Sequence, residues 1–210
     1  MKTALSLITA ASDRGLLPIE DLRAAAGVTG NGEDARLQKA GVAVADTIAR
    51  WCGVAQAGIS PPTLRRETLE QTFWPAQCHM QLVMARRFVG TISVIEKGVS
   101  LPAEEFSLDA AAGLLLRLRG GEPCEWACGA IKVTYQAGFE EVPTDLAQVA
   151  SEMVSRRLGT ARDPMLKRRR VDVPGVEEVE EEFWVDANAA VDITPDMAAV
   201  LLAYRTPVFG

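Results

Sequence analysis

The run Ile131-Lys132-Val133-Thr134-Tyr135-Gln136-Ala137-Gly138-Phe139, followed after two glutamates by Val142-Pro143-Thr144-Asp145-Leu146, decides how this chain is read. Ile131, Val133 and Tyr135 alternate with Lys132, Thr134 and Gln136, the period of a half-buried strand. Gly138 then permits either a positive φ or a close backbone approach. Pro143 and Asp145 stand where a first helical turn tolerates a missing amide and favours a negative charge. A helix is expected from there through Ala150 and Val154 to about Leu158 or Ala161. A strand, a tight turn and a helix thus adjoin, which sets the fold class as α+β.

Upstream of this run the pattern is β as far back as Pro61-Pro62, a pair that cannot continue a helix. Strands are expected at 63–73, 81–86, 90–96, 106–108, 114–118 and 130–135, with Gly98, Pro102, Gly113 and Gly120-Gly121 supplying the turns between them. Ahead of the prolines, Leu17-Pro18-Ile19-Glu20-Asp21-Leu22-Arg23 predicts a short helix ending near Ala26. Val28-Thr29-Gly30-Asn31-Gly32 is turn chemistry. From Glu33 to Trp51, Leu37, Ala40, Val44, Ile48 and Trp51 fall at spacings of three and four, predicting a long amphipathic helix with one buried stripe. The expected organisation is a small α-helical bundle with an inserted antiparallel β domain and a C-terminal helix and tail. Its N-terminal helices occupy 1–58, the β insertion 59–138, and the last helix, charged loop and tail 139–210.

Downstream, a charged connection runs from Asp163-Pro164 to Asp192 and is expected to be mobile, because blocks of like charge repel. In it Lys167, Arg168, Arg169 and Arg170 precede Glu177, Glu178, Glu180, Glu181 and Glu182. Two readings stand. The basic run touches DNA phosphates in a channel while the acidic run lines a lumen that lets DNA slide, or the two runs form a solvated loop that pairs with itself or with a neighbouring subunit. Thr194-Pro195-Asp196 is an N-cap, a first-turn proline and an acid, and opens a helix from Met197 to Tyr204.

Composition narrows the function. The chain has 210 residues, 48% hydrophobic and 24% charged, which is ample for a real core, and its net charge of −6 argues against coating nucleic acid with the whole surface. No apolar stretch of about 18 residues occurs, and the start is too short an apolar run for an export signal, so no membrane role is expected and synthesis is expected in the cytosol. The four cysteines, Cys52, Cys78, Cys124 and Cys128, are read as reduced thiols.

Catalytic patterns are missing from the sequence. The single histidine, His79, adjoins Cys78, but a zinc site there needs Cys124 and Cys128 from a different strand pair at a spacing unlike that of zinc ribbons. No Gly-x-Ser-x-Gly elbow presents a serine, and Gly27-Val28-Thr29-Gly30-Asn31-Gly32 lacks the ending of a phosphate loop. Glu104-Glu105 and Glu140-Glu141 are adjacent in sequence and point apart. The expectation is a protein without catalytic residues, metal or cofactor. Arg65, Arg66, Arg86, Arg87 and Arg117 sit among apolar strand residues, either on a solvated outer face or at a subunit interface.

The order of elements, together with the V-x-Y-x-A-G-F to V-P-x-D-L run at 133–146 and the terminal Leu202-Ala203-Tyr204-Arg205, resembles the phage head-tail connector (adaptor) family, including versions found in gene transfer agents. The likeness covers nearly the whole chain; the long charged 167–192 loop departs from the family pattern. The resemblance implies a homo-oligomeric ring, usually a dodecamer, in the neck of a virion assembled in the bacterial cytoplasm. Such a ring sits beneath the portal protein and above a tail-completion or stopper protein, with DNA only as passing cargo. It also implies a C-terminal segment set against the portal. Here that segment holds Met197, Val200, Leu201, Tyr204, Arg205 and Phe209, a mix of apolar anchors, aromatics and arginine suited to an interface. The same helix can instead pack on its own bundle. The alternative to an adaptor is a DNA-binding or regulatory protein that uses the basic run 167–170.

Overall fold

The computed structural model describes residues 1–159, 168–171, 179–182 and 193–206. The fold is α+β, as the sequence predicts: helices collect round one core and antiparallel strands round another.

The helices are α1 (Ile19–Ala26), α2 (Asp34–Trp51), α3 (Thr144–Gly159) and α4 (Pro195–Leu201), the last continued by a 3-10 turn over Leu202–Tyr204. Gly27 ends α1 in the left-handed conformation at φ 64, and the amides of Gly27 and Val28 turn back to the carbonyls of Ala24 and Arg23. On α2 the buried stripe is Leu37, Gly41, Val44, Ala45, Ile48 and Ala49. It keeps Leu37, Val44 and Ile48 of the predicted stripe and widens it through Gly41, Ala45 and Ala49, leaving Ala40 and Trp51 only half-buried. The cause is helix packing: a Cβ at Gly41 would stand 2.9 Å from Leu22 Cδ2, so α1 approaches α2 where the side chain is absent. From α3, Leu146, Ala150, Met153 and Val154 fill the same core.

Five strands form the main sheet in the order β1-β2-β9-β4-β5, every pair antiparallel: β1 (Lys2–Thr9), β2 (Glu67–Trp74), β9 (Ile131–Ala137), β4 (Val89–Glu96) and β5 (Val99–Ser100). The central β9 follows its sequence alternation closely: Ile131, Val133, Tyr135 and Ala137 are buried. A smaller sheet sets β3 (Gln81–Val83), β6 (Phe106–Asp109) and β8 (Glu122–Cys124) against β7 (Leu114–Arg119). Phe73, Leu82, Val94, Leu115 and Trp126 close the space between the two sheets. A hairpin of β10 (Arg168–Val171) and β11 (Val179–Glu182) stands as a separate two-stranded ribbon.

Two sequence expectations change. Residues 1–58 contribute more than helices, because Lys2–Thr9 is an edge strand running antiparallel to β2 from Lys2 opposite Trp74 to Leu7 opposite Leu69. Only Leu5 and Leu7 of that strand lean on the sheet core, so its alternation is two residues long and its pairing partner lies far along the chain. The strands expected at 63–73 and 81–86 shrink to β2 and β3, since the flanking residues Thr63, Leu64, Arg86 and their neighbours turn inward to join the sheet to the helices. No helix among the described residues is long and apolar enough to cross a membrane.

Candidate interaction surface

Three aromatic side chains from distant parts of the sequence meet where the sheet touches the bundle. The ring centroids of Phe88 and Phe139 lie 4.6 Å apart, and Tyr204 approaches them at 5.8 and 5.7 Å. Phe88 holds φ 56, a conformation that strains a bulky residue and is sustained here by the surrounding contacts. Gly138 both adopts φ 92 and permits close approach: a Cβ there would fall 2.6 Å from the carbonyl oxygens of Leu64 and Arg65. The Tyr204 hydroxyl donates to Asp145 Oδ1 at 2.5 Å. Desolvation, then that bond, pushes its pKa well above the usual phenol range.

Beneath the aromatics lies buried charge. Arg86 and Glu67, with side chains 4% and 3% exposed, pair at 2.6 Å, and Arg86 Nε also donates to the Ala55 carbonyl at 2.9 Å. Gln71 Oε1 accepts from the Ala85 amide at 2.8 Å and from the Tyr135 hydroxyl at 3.1 Å. Deeper in the β module, Arg117 donates to Glu96 at 3.1 Å and to Glu105 at 2.9 Å. The arginines Arg86 and Arg117 are therefore interior braces rather than members of an outer face or a subunit interface. Their partners lie 19 residues away in sequence for Arg86, and 21 and 12 away for Arg117, so no local motif announces them. Arg65, Arg66 and Arg87 remain nearer the surface, with Arg66 paired to Glu140 at 2.5 Å.

The C-terminal segment is strapped onto this joint. Thr194 caps α4 as predicted, its hydroxyl accepting from the Met197 amide at 3.4 Å. Past the 3-10 turn, Arg87 Nη1 donates to the carbonyls of Ala203 and Arg205 at 3.2 and 2.6 Å, and the Thr206 amide donates to the Cys52 carbonyl at 2.7 Å. The Arg205 guanidinium lies 5.7 Å from the Trp51 ring centroid.

Of the six residues expected to meet a portal, Met197, Leu201 and Tyr204 are buried in the chain's own helical core at 2%, 0% and 8% exposure. Those three are thus not free surface, because folding the bundle already uses their apolar area. Val200 is half-buried, Arg205 is exposed, and Phe209 lies outside the described residues. Leu202, outside that set of six, is 57% exposed beside them.

In the charged hairpin, Arg168 stands opposite Glu182, Arg169 opposite Glu181 and Arg170 opposite Glu180. The two runs therefore pair with each other through the backbone register, which brings opposite charges to cross-strand positions. Lys167, Glu177 and Glu178, with most of the 163–192 connection, lie outside the described residues. Two clefts of about 320 and 300 Å³ flank the connector between β1 and α1, one lined by Asp13, Arg66, Glu67 and Glu140 and the other by Leu17, Leu22 and Gly41. Cys78 and Cys128, which the sequence set on different strand pairs, come together with their sulfurs 3.6 Å apart.

No protein-family model matches the chain, and no curated protein matches it. Solved structures do. The chain is similar to one in the virion of a native gene transfer agent particle, at a TM-score of 0.59 and 17% identity. It is similar also to chains in the neck of an empty particle computed with C6 symmetry, at 0.57 and 20%, and in the neck of a native particle computed with C12 symmetry, at 0.56 and 17%. Each match covers 98% of this chain and 97% of the other. The fold is one found in the necks of gene transfer agent particles. It spans the bundle, both sheets and the strapped terminal helix together, at an identity where only the fold is shared.

Proposed function

We propose that the chain is an adaptor subunit of the head-tail connector of a tailed phage or gene transfer agent. It is a structural protein that closes into a ring in the virion neck, joins capsid to tail and surrounds part of the DNA channel. The observation that carries this reading is the end-to-end fold likeness to chains of gene transfer agent particles, two of them from necks computed with C6 and C12 symmetry. Its partners are further copies of itself, twelve in a full ring, the portal protein on one side and a tail-completion protein on the other. DNA passes through without being read, and the ring works by assembly rather than by catalysis.

Because Met197, Leu201 and Tyr204 hold α4 to the bundle, the portal contact in this reading falls to Leu202, Arg205 and the residues beyond Thr206, including Phe209. The alternative, a DNA-binding or regulatory protein using the basic run, is weakened by the register that sets Arg168, Arg169 and Arg170 opposite glutamates. That pairing suits a channel wall or a subunit contact, where near-neutral charge lets DNA slide.

The test mixes full-length protein with purified portal and measures the mass of the product. A second sample lacks 207–210, and a third carries Arg205→Glu. Full-length protein is expected to add to the portal as a ring, while both variants stay folded and bind less. Full-length protein that ignores the portal yet binds duplex DNA with steep salt dependence would overturn the adaptor reading in favour of the alternative.

A further inference from the structure

At one end of the β module two exposed thiols face each other. Cys78 lies in the loop from β2 to β3 and Cys128 in the loop from β8 to β9, with Sγ to Sγ 3.6 Å and both side chains exposed. The loops are held in place next to the sulfurs. His79 and Trp126 form an antiparallel bridge, the Trp126 amide donates to the His79 carbonyl at 2.9 Å, and the Trp126 side chain is fully buried. Closing the gap to a bond of about 2.05 Å needs the sulfurs to approach by about 1.5 Å. The other two cysteines differ: Cys52 is buried with its thiol pushed up to about 12 by desolvation, and Cys124 is half-buried. Among the described residues no group of three His, Cys, Asp or Glu side chains is placed to hold a metal ion.

We propose that Cys78 and Cys128 are an oxidation site that takes small-molecule disulfides as oxidant and, once oxidised, staples the β2–β3 loop to the β8–β9 loop. One cysteine thiolate attacks a sulfur of the small disulfide, forming a mixed disulfide and releasing one small thiolate, which takes up the proton the cysteine lost. The second cysteine thiolate attacks the protein-bound sulfur, the Cys78–Cys128 bond forms, and the second small thiolate leaves and is protonated in turn. Two protein thiols are oxidised and one small disulfide is reduced to two thiols. The hydrogen bond to Cys128, then its charge, holds the Cys78 thiol above the usual range, so exchange through Cys78 quickens as pH rises. The assignment stands on these loops alone, whether or not the chain sits in a virion neck.

The experiment uses the full chain, fully reduced, incubated with oxidised glutathione, quenched with an alkylating agent and mapped by peptide mass. The count of free thiols is expected to fall from four to two, with Cys78 and Cys128 cross-linked in one chain. The Tm should rise by roughly 10 °C, because the cross-link closes a long loop in the unfolded chain, and dithiothreitol should reverse the rise. Cys78→Ser and Cys128→Ser should each match the reduced protein in Tm before oxidation and show no rise after it. Glutathione retained on either cysteine, cross-links through Cys124, cross-links only between chains, or a cross-link with unchanged Tm would each overturn the proposal.

Discussion

The helical core and the β core are both sealed from water, but by different chemistry. Round the helices the closing groups are apolar and arrive from the far end of the chain, with Met197 and Leu201 at 2% and 0% exposure under α1, α2 and α3. Round the sheets the closing groups include charge, Arg86 with Glu67 and Arg117 with Glu96, each side chain no more than 12% exposed. An apolar seal loses stability in proportion to the atoms removed. A buried ion pair responds unequally: removing one partner strands the other, while removing both costs little. The tail's role is ambiguous in the sequence because the same apolar residues that suit a partner also complete the bundle.

The largest effect that sharpens this contrast is expected from Arg86→Met. It leaves Glu67 buried without its cation and should cost about 3 to 5 kcal/mol in chemical denaturation, whereas Arg86→Met with Glu67→Leu should recover most of the loss. A double variant no more stable than the single one would erase the distinction between the two seals. Next comes Leu201→Ala, expected to cost about 3 kcal/mol by opening a cavity in the helical core. If it costs under about 1 kcal/mol and leaves the thermal transition in place, the tail is not part of that core and its apolar face is available to a partner.

A smaller loss, about 1 kcal/mol, is expected for Tyr204→Phe, which keeps the aromatic contacts and removes the hydroxyl's bond to Asp145. The loss should disappear in an Asp145→Ala background, which has no acceptor oxygen, if that bond is its whole cause. The smallest effect concerns the half-buried Arg23–Asp34 pair between α1 and α2. The hydrogen bond from Arg23 holds the Asp34 carboxyl below the usual carboxylate range. Its contribution is therefore present above the ordinary aspartate pKa of about 4 and lost as pH falls through the lowered folded value. Arg23→Gln should narrow the difference between urea midpoints at pH 3 and pH 6 relative to the unchanged protein.

Legibility followed the range of the interactions. α2, α3 and the cap of α4 were readable because stripe, proline and Thr194 act within one or two turns. The central β9 was readable because it is buried on one face along its whole length. β1 was not, since an edge strand with only Leu5 and Leu7 against the core carries too short a pattern to separate from coil. Arg86 and Arg117 were misplaced because an arginine among apolar strand residues looks the same whether it faces solvent or a buried glutamate from another element. The Cys78–Cys128 contact is not legible for a similar reason, its 50-residue separation being bridged by pairings such as His79 with Trp126 and Phe73 with Ile131 that no local pattern announces.

By itself the sequence determined the α+β class, the helices and their starts, the principal strands and the two opposed charge runs, because each rests on period, capping or turn chemistry confined to neighbouring residues. Only the tertiary structure decided that Met197, Leu201 and Tyr204 belong to the chain's own core, that Arg86 and Arg117 are buried braces, and that the charge runs register against each other as a hairpin. Those outcomes depend on which distant groups meet, and burial free energy, unlike local propensity, is set by the partner as much as by the residue.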